Sequence, residues 1–511
     1  MSERILTAQQ TGHLRHFDNL SRQLPNDWSL MQARTHGQDG FNAYRYQLAY
    51  MAYALALTHV HRLPAAPGLF QPAIQRLIDK LLLPEAWMYW RDTGRGGGLL
   101  NPRMTDATDQ DWDPVVRDNI MYSAYVQSMA LLHDYLFDTD RYAEPGSLTF
   151  RFWTMHWGGD EKRFPYDRDS LNDHIYWQLV QNGYLGVACE PNCVFQICIQ
   201  PAILGFRLHD LITGGKRAEE TVAAYERAWA DFGRLGENGH YNVMVLKDSK
   251  VLIGNDGPAA QMDGWCGSLM NMWNREFVHE HYPRQIADYL VHGPDGTLSV
   301  PPASPADMNG QEVARDSDGN FGWLAVWASE MGDERTRDGL LAHADRFMNP
   351  TRRDGGLYYP RNDTTTDPDG NLVAMGPMTG NVLLGYARLN VPDGLWKLYN
   401  RPLPRSRFTE PALTAVDRDV DVSRAEVVDG ALHTRLRCTR EVSGDGTVTI
   451  SGIAGRGRWT VTVDGQPAAR IDGTTVRPEP GPYADAVHVH HGQVILHCPD
   501  TPHTFTFGQD R

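Results

Sequence analysis

The sequence predicts a mainly α-helical protein, an (α/α)6 toroid followed by a β-sandwich-like domain, and three observations carry that prediction. Helical periodicity recurs through the first 400 residues, where nothing alternates with period two for long. The helical segments number about a dozen, and no residue pattern repeats at a fixed period of about 30–50, which favours a closed ring of helix pairs over a solenoid of short repeats. After Pro404 the chain becomes β-branched and rich in turn signals, so the domains are expected at 1–403 and 404–511.

Taken in order, one helix is expected near the N-terminus. Tyr44–His61, YRYQLAYMAYALALTHVH, puts Tyr46, Tyr50 and Tyr53 on one stripe. Asn119–Tyr135 stacks Met121, Tyr125 and Met129 on one side, and Tyr122 joins them as a candidate substrate contact. Further helices are expected over 72–83, 171–183, 192–212, 218–232, 262–274, 282–291, 322–331, 335–347 and 378–389. The loops 91–100, 251–263 and 307–320 are too polar and glycine-rich for core, and make the candidate rim of the ring. Beyond Pro404, RWTVTV, TVTISG, DAVHVHH, GQVILHC and HTFTFG read as strands, with Asp445-Gly446 and Val463-Asp464-Gly465-Gln466 as turns. His488 and His490 share one strand face and His491 takes the other; lacking a third ligand, they read as a solvated surface.

Composition bounds the function. With 511 residues, 41% hydrophobic and 10% aromatic, the chain can bury a large core. A net charge of −15 argues against nucleic acid or an anionic membrane as partner. The N-terminal MSERILTAQQTGHLRHFD has no apolar core of a secretory signal, and no window reaches 18 apolar residues, so the expectation is a cytoplasmic protein without membrane insertion. An apolar stripe on an outer helix would suit a homo-oligomer, and would equally suit cover by the β-domain.

The densest chemistry lies between Gly186 and Asp210, where Cys189, Cys193 and Cys198 fall within ten residues. Glu190-Pro191-Asn192 reads as the start of a helix with Pro191 in its first turn, which sets Cys189 at a helix N-terminus where a thiolate is favoured. On that helix Cys198 lies about 140° round from Cys193, so the three cannot share a face. Cys189 and Cys198 are then the candidate pair at one cavity, and Cys193 a small hydrophobe packed elsewhere. The spacing is not that of a zinc site, and a cytosolic setting argues against disulfides.

Four segments resemble the linalool dehydratase-isomerase family in chain order: NIMYSAYVQSM, GVACEPNCVFQIC, EHYPRQIADY and SEMGDERTRDGLLAH. The Cys-Glu-Pro with a second cysteine nine residues after the first is the most specific. The resemblance implies an (α/α)6 barrel with a central apolar cavity, no metal or organic cofactor, and a small apolar substrate. It implies acid–base dehydration of an allylic tertiary alcohol, or transposition of its hydroxyl. It also implies Cys189 and Cys198 as active-site thiols, Glu190 as the acidic neighbour, Tyr46 as the tyrosine of the second helix, Asp18 as the nearest match to an N-terminal aspartate, and Tyr241 as the nearest match to a further tyrosine. Two positions depart from the family: its histidine after N-I-M-Y is Tyr125 here, and its N-terminal cysteine is replaced near Ser29.

The chemistry can be stated from the residues alone. A positioned acid must protonate a poor leaving group while a base takes the allylic proton. Tyr46, Tyr50, Met121, Tyr125 and Met129 would give an apolar lining with phenol donors and π-faces for a developing cation. Cys189 would be base or acceptor and Cys198 its counterpart acid, while Glu190 or Asp18, if desolvated, would be a second acid. Three alternatives stand beside this: a cyclase on the same scaffold, a carrier of apolar ligands, and a carbohydrate hydrolase or lyase. The last draws on 14 Trp and 21 Tyr and on the pairs Asp113/Asp118 or Asp316/Asp318.

Overall fold

The computed structural model describes every residue except 1–4, 35–37, 39, 92–111, 154, 156–159, 258, 304–305, 309–310, 314–316, 440–445 and 511. Among the described residues, twelve helices alternate between an outer and an inner ring, beside the short helical turns Pro84–Trp87 and Gly394–Asn400. The outer helices are α1 (Ala8–Ser21), α3 (Pro67–Leu81), α5 (Arg168–Gln181), α7 (Arg217–Ala230), α9 (Arg275–Ala287) and α11 (Glu334–Phe347). The inner helices are α2 (Tyr44–His61), α4 (Ile120–Phe137), α6 (Gln200–Thr213), α8 (Ala260–Met270), α10 (Ser317–Met331) and α12 (Leu384–Leu389), the last preceded by a π-helical turn at Thr379–Leu383. Each inner helix packs on the next, and α12 returns to α2, closing the ring. This is the (α/α)6 toroid the sequence predicts.

Burial separates the two rings. In α2 every residue from Tyr44 to His59 is buried, as are Ile120–Asp134 in α4, so these helices have no solvent face. The outer helices α7 and α11 bury one stripe only. The inner helices start at one end of the ring. Met378 N–H donates to Asn42 Oδ1 (2.9 Å), Thr379 Oγ1 to Asp318 O (2.8 Å) and Gln261 N–H to Asn320 Oδ1 (2.9 Å), tying successive helix starts together. Their N-terminal dipole ends therefore gather at one mouth.

Three expected helices differ. Residues 192–199 are not helical: Cys193–Phe195 is a strand paired with Met244–Leu246, which pairs in turn with Val251–Ile253. The helix expected over 282–291 is α9, with Pro283 inside it, and it ends before the exposed Val291. The helix expected over 322–331 begins earlier, at Ser317. Of the expected rim loops, 92–100 lies outside the described residues, as do Asp316 and Asp445.

The C-terminal domain has ten described strands in two antiparallel sheets. One runs in the order Ala412–Val416, Thr447–Ser451, Gln493–His497, Val487–His490; the other Val420–Val428, Ala431–Cys438, His503–Gln509, Arg458–Val463, Gln466–Asp472, Thr475–Pro478. Leu432, Thr434, Leu436 and Cys438 are buried at every second position, the alternation of a strand with one face in a core. His488, His490 and His491 are exposed. This domain docks on the toroid through backbone bonds, Ala65 N–H to Ala425 O (3.0 Å) and Leu413 N–H to Ala65 O (2.8 Å), and through the ion pair of Arg15 with Asp421 (2.7 Å).

The docking leaves no room at Gly68, where a Cβ would lie 2.4 Å from the Thr414 carbonyl oxygen. Gly68→Ala is expected to lower unfolding free energy by about 1–3 kcal/mol through this overpacking. Urea denaturation checks this, and an unchanged midpoint would show that the interface yields.

Candidate active site

The segment holding the cysteines is a hairpin. Gly186 has φ 145°, and a Cβ there would lie 2.5 Å from Val194 Cγ1, so the chain crosses itself only with glycine. Glu190-Pro191-Asn192-Cys193 forms a tight turn closed by Cys193 N–H to Glu190 O (2.9 Å), with Asn192 at φ 71°. Proline followed by a residue of positive φ is the signature of a type II turn. Cys189 N–H then donates to Cys193 O (2.9 Å). The proline expected to open a helix therefore opens a turn, and Cys193 and Cys198 share no helix.

The turn nevertheless brings Cys189 and Cys198 together, their thiols hydrogen-bonded, and leaves Cys193 fully buried on its own. Cys189 also sits at a helix N-terminus, but that of α4: Ile120 N–H donates to Ala188 O (3.3 Å) and Met121 N–H to the Cys189 thiol. The Cys198 hydrogen bond draws the Cys189 pKa down, yet burial and the neighbouring Glu190 leave it raised. Cys198 is raised much further, by burial and by donating to Cys189. Cys189 is thus the more readily ionised member of the pair. Cys193 is pushed up to about 12 by burial. All six cysteines are free thiols.

Glu190 is raised by desolvation, which Arg45 and the Cys189 hydrogen bond oppose, and its Oε2 is buried without a partner. Beside it stands Arg45, a residue the sequence reading missed. Arg45 is 1% exposed, its Cζ lies 4.2 Å from the Tyr46 ring and 3.8 Å from that of Tyr89, and its Nη2 donates to Tyr46 Oη (2.8 Å). It acts electrostatically on both Cys189 and Glu190. Its signal was legible: Arg45 is the one Arg, Lys, Asp or Glu in the eighteen residues of α2. Tyr89, which donates to Asn119 Oδ1 (2.5 Å), had no such signal.

Next to this polar corner is an aromatic wall. Tyr46 meets Tyr125 (5.9 Å) and Trp265 (5.2 Å) edge to face, Trp265 stacks on Trp323 (4.6 Å), and Tyr50 meets Trp323 (4.8 Å). Trp265 Nε1 donates to Tyr50 Oη. Tyr125 bonds Tyr50 and reaches Met121 Sδ (3.5 Å); burial holds its phenol far above the usual range, so it cannot replace an imidazole near neutral pH. Met129 is fully buried in the same helix.

Other expected site residues lie elsewhere. Asp18 is on outer helix α1 in the cleft against the β-domain, bound by Arg76 Nη2 (2.7 Å) and Arg22 Nε (2.6 Å), because a carboxylate at that edge finds arginines and not the ring axis. Tyr122 points outward, donating to Leu81 O (2.8 Å) of α3. Ser29 bonds Asp27 and Gln23 at an exposed turn. Tyr241 is buried on the α8 side, its N–H on Asp263 Oδ1 (3.0 Å), its ring edge to face with Phe277 and its Oη without a partner. Of the carboxylates weighed for sugar chemistry, Asp113 accepts from Tyr166 Oη (2.6 Å), and Asp118 is raised by burial and adjoins Cys193. Among the described residues no group of three or more His, Cys, Asp or Glu is placed to hold a metal ion, and no helix is long and apolar enough to cross a membrane.

Fold and site together define a helical toroid with a buried thiol, carboxyl and guanidinium cluster beside an aromatic wall. Residues 45–365, more than half of the chain, match the linalool dehydratase/isomerase family, and the chain belongs to it. Among solved structures it is similar to an inactive variant of the α-1,6-mannanase GH76A of Salegentibacter sp. HEL1_6 in complex with α-1,6-mannotriose, at 12% identity, TM-score 0.42, covering 74% of this chain and 99% of that one. It is also similar to a glycosyl hydrolase family 88 protein from Bacteroides vulgatus, at 11% identity, TM-score 0.38, covering 77% and 99%.

Behind Tyr241, His240 Nδ1 lies 2.5 Å from the fully buried Asp263, which also accepts from Tyr289 Oη (2.9 Å). The Asp263 hydrogen bond raises the pKa of His240. A raised histidine stabilises the fold fully below its unfolded pKa near about 6.5, and that contribution is lost as pH rises through the folded value. The stability gap between wild type and His240→Asn is expected to be larger at pH 6 than at pH 9 in urea denaturation; a gap independent of pH would mean His240 stays neutral.

Proposed function

We propose that the protein is a hydro-lyase or isomerase acting by acid–base chemistry on an apolar, terpenoid-like allylic alcohol. The observation that carries this reading is the corner where the Cys189–Cys198 thiol pair, Glu190 and Arg45 meet beneath the start of α4, next to the wall of Tyr46, Tyr50, Tyr125 and Trp265. Family membership supports the reaction class.

Glu190, whose hold on its proton burial strengthens, gives that proton to the departing hydroxyl as the C–O bond breaks and water forms. Cys189, the more readily ionised of the two thiols, whose thiolate the Cys198 thiol, Arg45 and the Met121 N–H support against burial and Glu190, takes the proton from the allylic neighbour carbon, whose C–H electrons form the new double bond. Transfer of that proton from Cys189 to Glu190 restores the starting state, so one alcohol yields one alkene and one water. Return of water to the far end of the allylic system gives the transposed alcohol. The aromatic wall serves any cationic character on the hydrocarbon, and it equally suits a cyclisation, which is the second reading.

Glu190 and Cys189 share one proton in this scheme, so turnover of wild type is expected to follow a bell in pH. Glu190→Gln and Cys189→Ala are each expected to lower turnover of linalool or a C15 homologue by about 10²-fold or more. Gas chromatography with mass detection reads the alkene, the transposed alcohol or a ring. Acyclic products lost in both variants support the lyase or isomerase, cyclic products favour the cyclase, and sugar turnover that survives Cys189→Ala would overturn both.

A further inference from the structure

Two ionisable side chains at the site keep unused hydrogen-bonding atoms. Arg45 spends Nη1 on Gln38 O and Nη2 on Tyr46 Oη, and its faces meet the rings of Tyr46 and Tyr89. Its Nε, equally buried, has no partner. Glu190 Oε2 is likewise buried and has none. The two groups act on each other electrostatically, yet no hydrogen bond joins them. A buried donor and a buried acceptor left so are costly unless something bridges them on binding.

A hydroxyl is the group that satisfies both: its oxygen accepts from Arg45 Nε, and it pairs with Glu190 either as donor to the carboxyl oxygen or as acceptor of the carboxyl proton. A hydrocarbon meets neither. A fixed cation in this corner also repels an ammonium group, and sets the hydrocarbon toward Tyr50 and Trp265, where the uncharged rings lie. We propose that Arg45 is the specificity-determining residue that, with Glu190, binds the substrate's hydroxyl, Arg45 Nε donating to the oxygen. This rests on the alcohol reading of the site and makes the corner a selector for alcohols over hydrocarbons of the same shape.

The test uses the full-length Cys189→Ala protein, so that alcohol is not consumed, titrated with linalool and nerolidol and with their analogues bearing hydrogen in place of the hydroxyl. Tryptophan fluorescence, with Trp265 in the wall, follows binding. Alcohol is expected to bind at least about tenfold tighter than hydrocarbon. Adding Arg45→Met is expected to erase that preference while leaving hydrocarbon affinity within about twofold, and Arg45→Lys to keep part of it. A preference that survives Arg45→Met, is absent from the start, or is lost together with hydrocarbon affinity would overturn the inference. Wild-type turnover separates the two claims: selective binding with no turnover would leave Arg45 as the selector and remove the lyase reading.

Discussion

The site depends on one turn. Glu190-Pro191-Asn192-Cys193 reverses the chain in four residues, and its closing bonds fix where Cys189 and Glu190 stand relative to the start of α4 and to Cys198. Were this stretch helical, Cys189 would lie about two and a half turns from Cys198 along one axis and the thiols would not meet. Asn192 is anchored from outside: its side chain accepts from Asp248 N–H (2.6 Å) and its carbonyl from Lys247 N–H (2.8 Å). The small sheet of Cys193–Phe195, Met244–Leu246 and Val251–Ile253 thus holds the thiols at the mouth of the ring.

The ring supplies the setting. Six inner helices starting at one end bring positive dipole ends to the same place as Arg45, and the site answers with groups that carry or share negative charge, Cys189 and Glu190. Deeper in, charge gives way to Tyr50, Trp265, Trp323 and Tyr386. Polar corner and aromatic wall join at Tyr46, whose hydroxyl accepts from Arg45 and whose ring meets Trp265 edge to face. Tyr125, at the position of the resemblance's histidine, belongs to the wall: its phenol is bonded to Tyr50 and Met121 and burial holds it far above the range of an imidazole.

Periodicity made the ring legible, because inner helices are apolar all round and outer ones on a stripe, and both repeat at 3.6 residues. The Tyr46, Tyr50 and Tyr53 stripe and the β-branched tail after Pro404 were readable for the same reason. Glu190-Pro191-Asn192 was not, since proline opens both helices and turns, and only the positive φ of Asn192 decides between them. Cys189 and Cys198 are neighbours through this turn and not through a shared helix. Asp18 was misplaced because a resemblance at one position carries no information on which ring a helix joins. Arg45 was visible as a lone charge in an apolar helix and passed over, while Tyr89 reaches the site only through tertiary packing.

The most direct measurement is a crystal structure of the Cys189→Ala protein with a C10 allylic tertiary alcohol bound. The alcohol oxygen is expected within hydrogen-bond distance of Arg45 and Glu190, with the hydrocarbon against Tyr50 and Trp265. An alcohol seated with its oxygen toward Tyr241 and His240, or lodged in the cleft at Asp18, would contradict it.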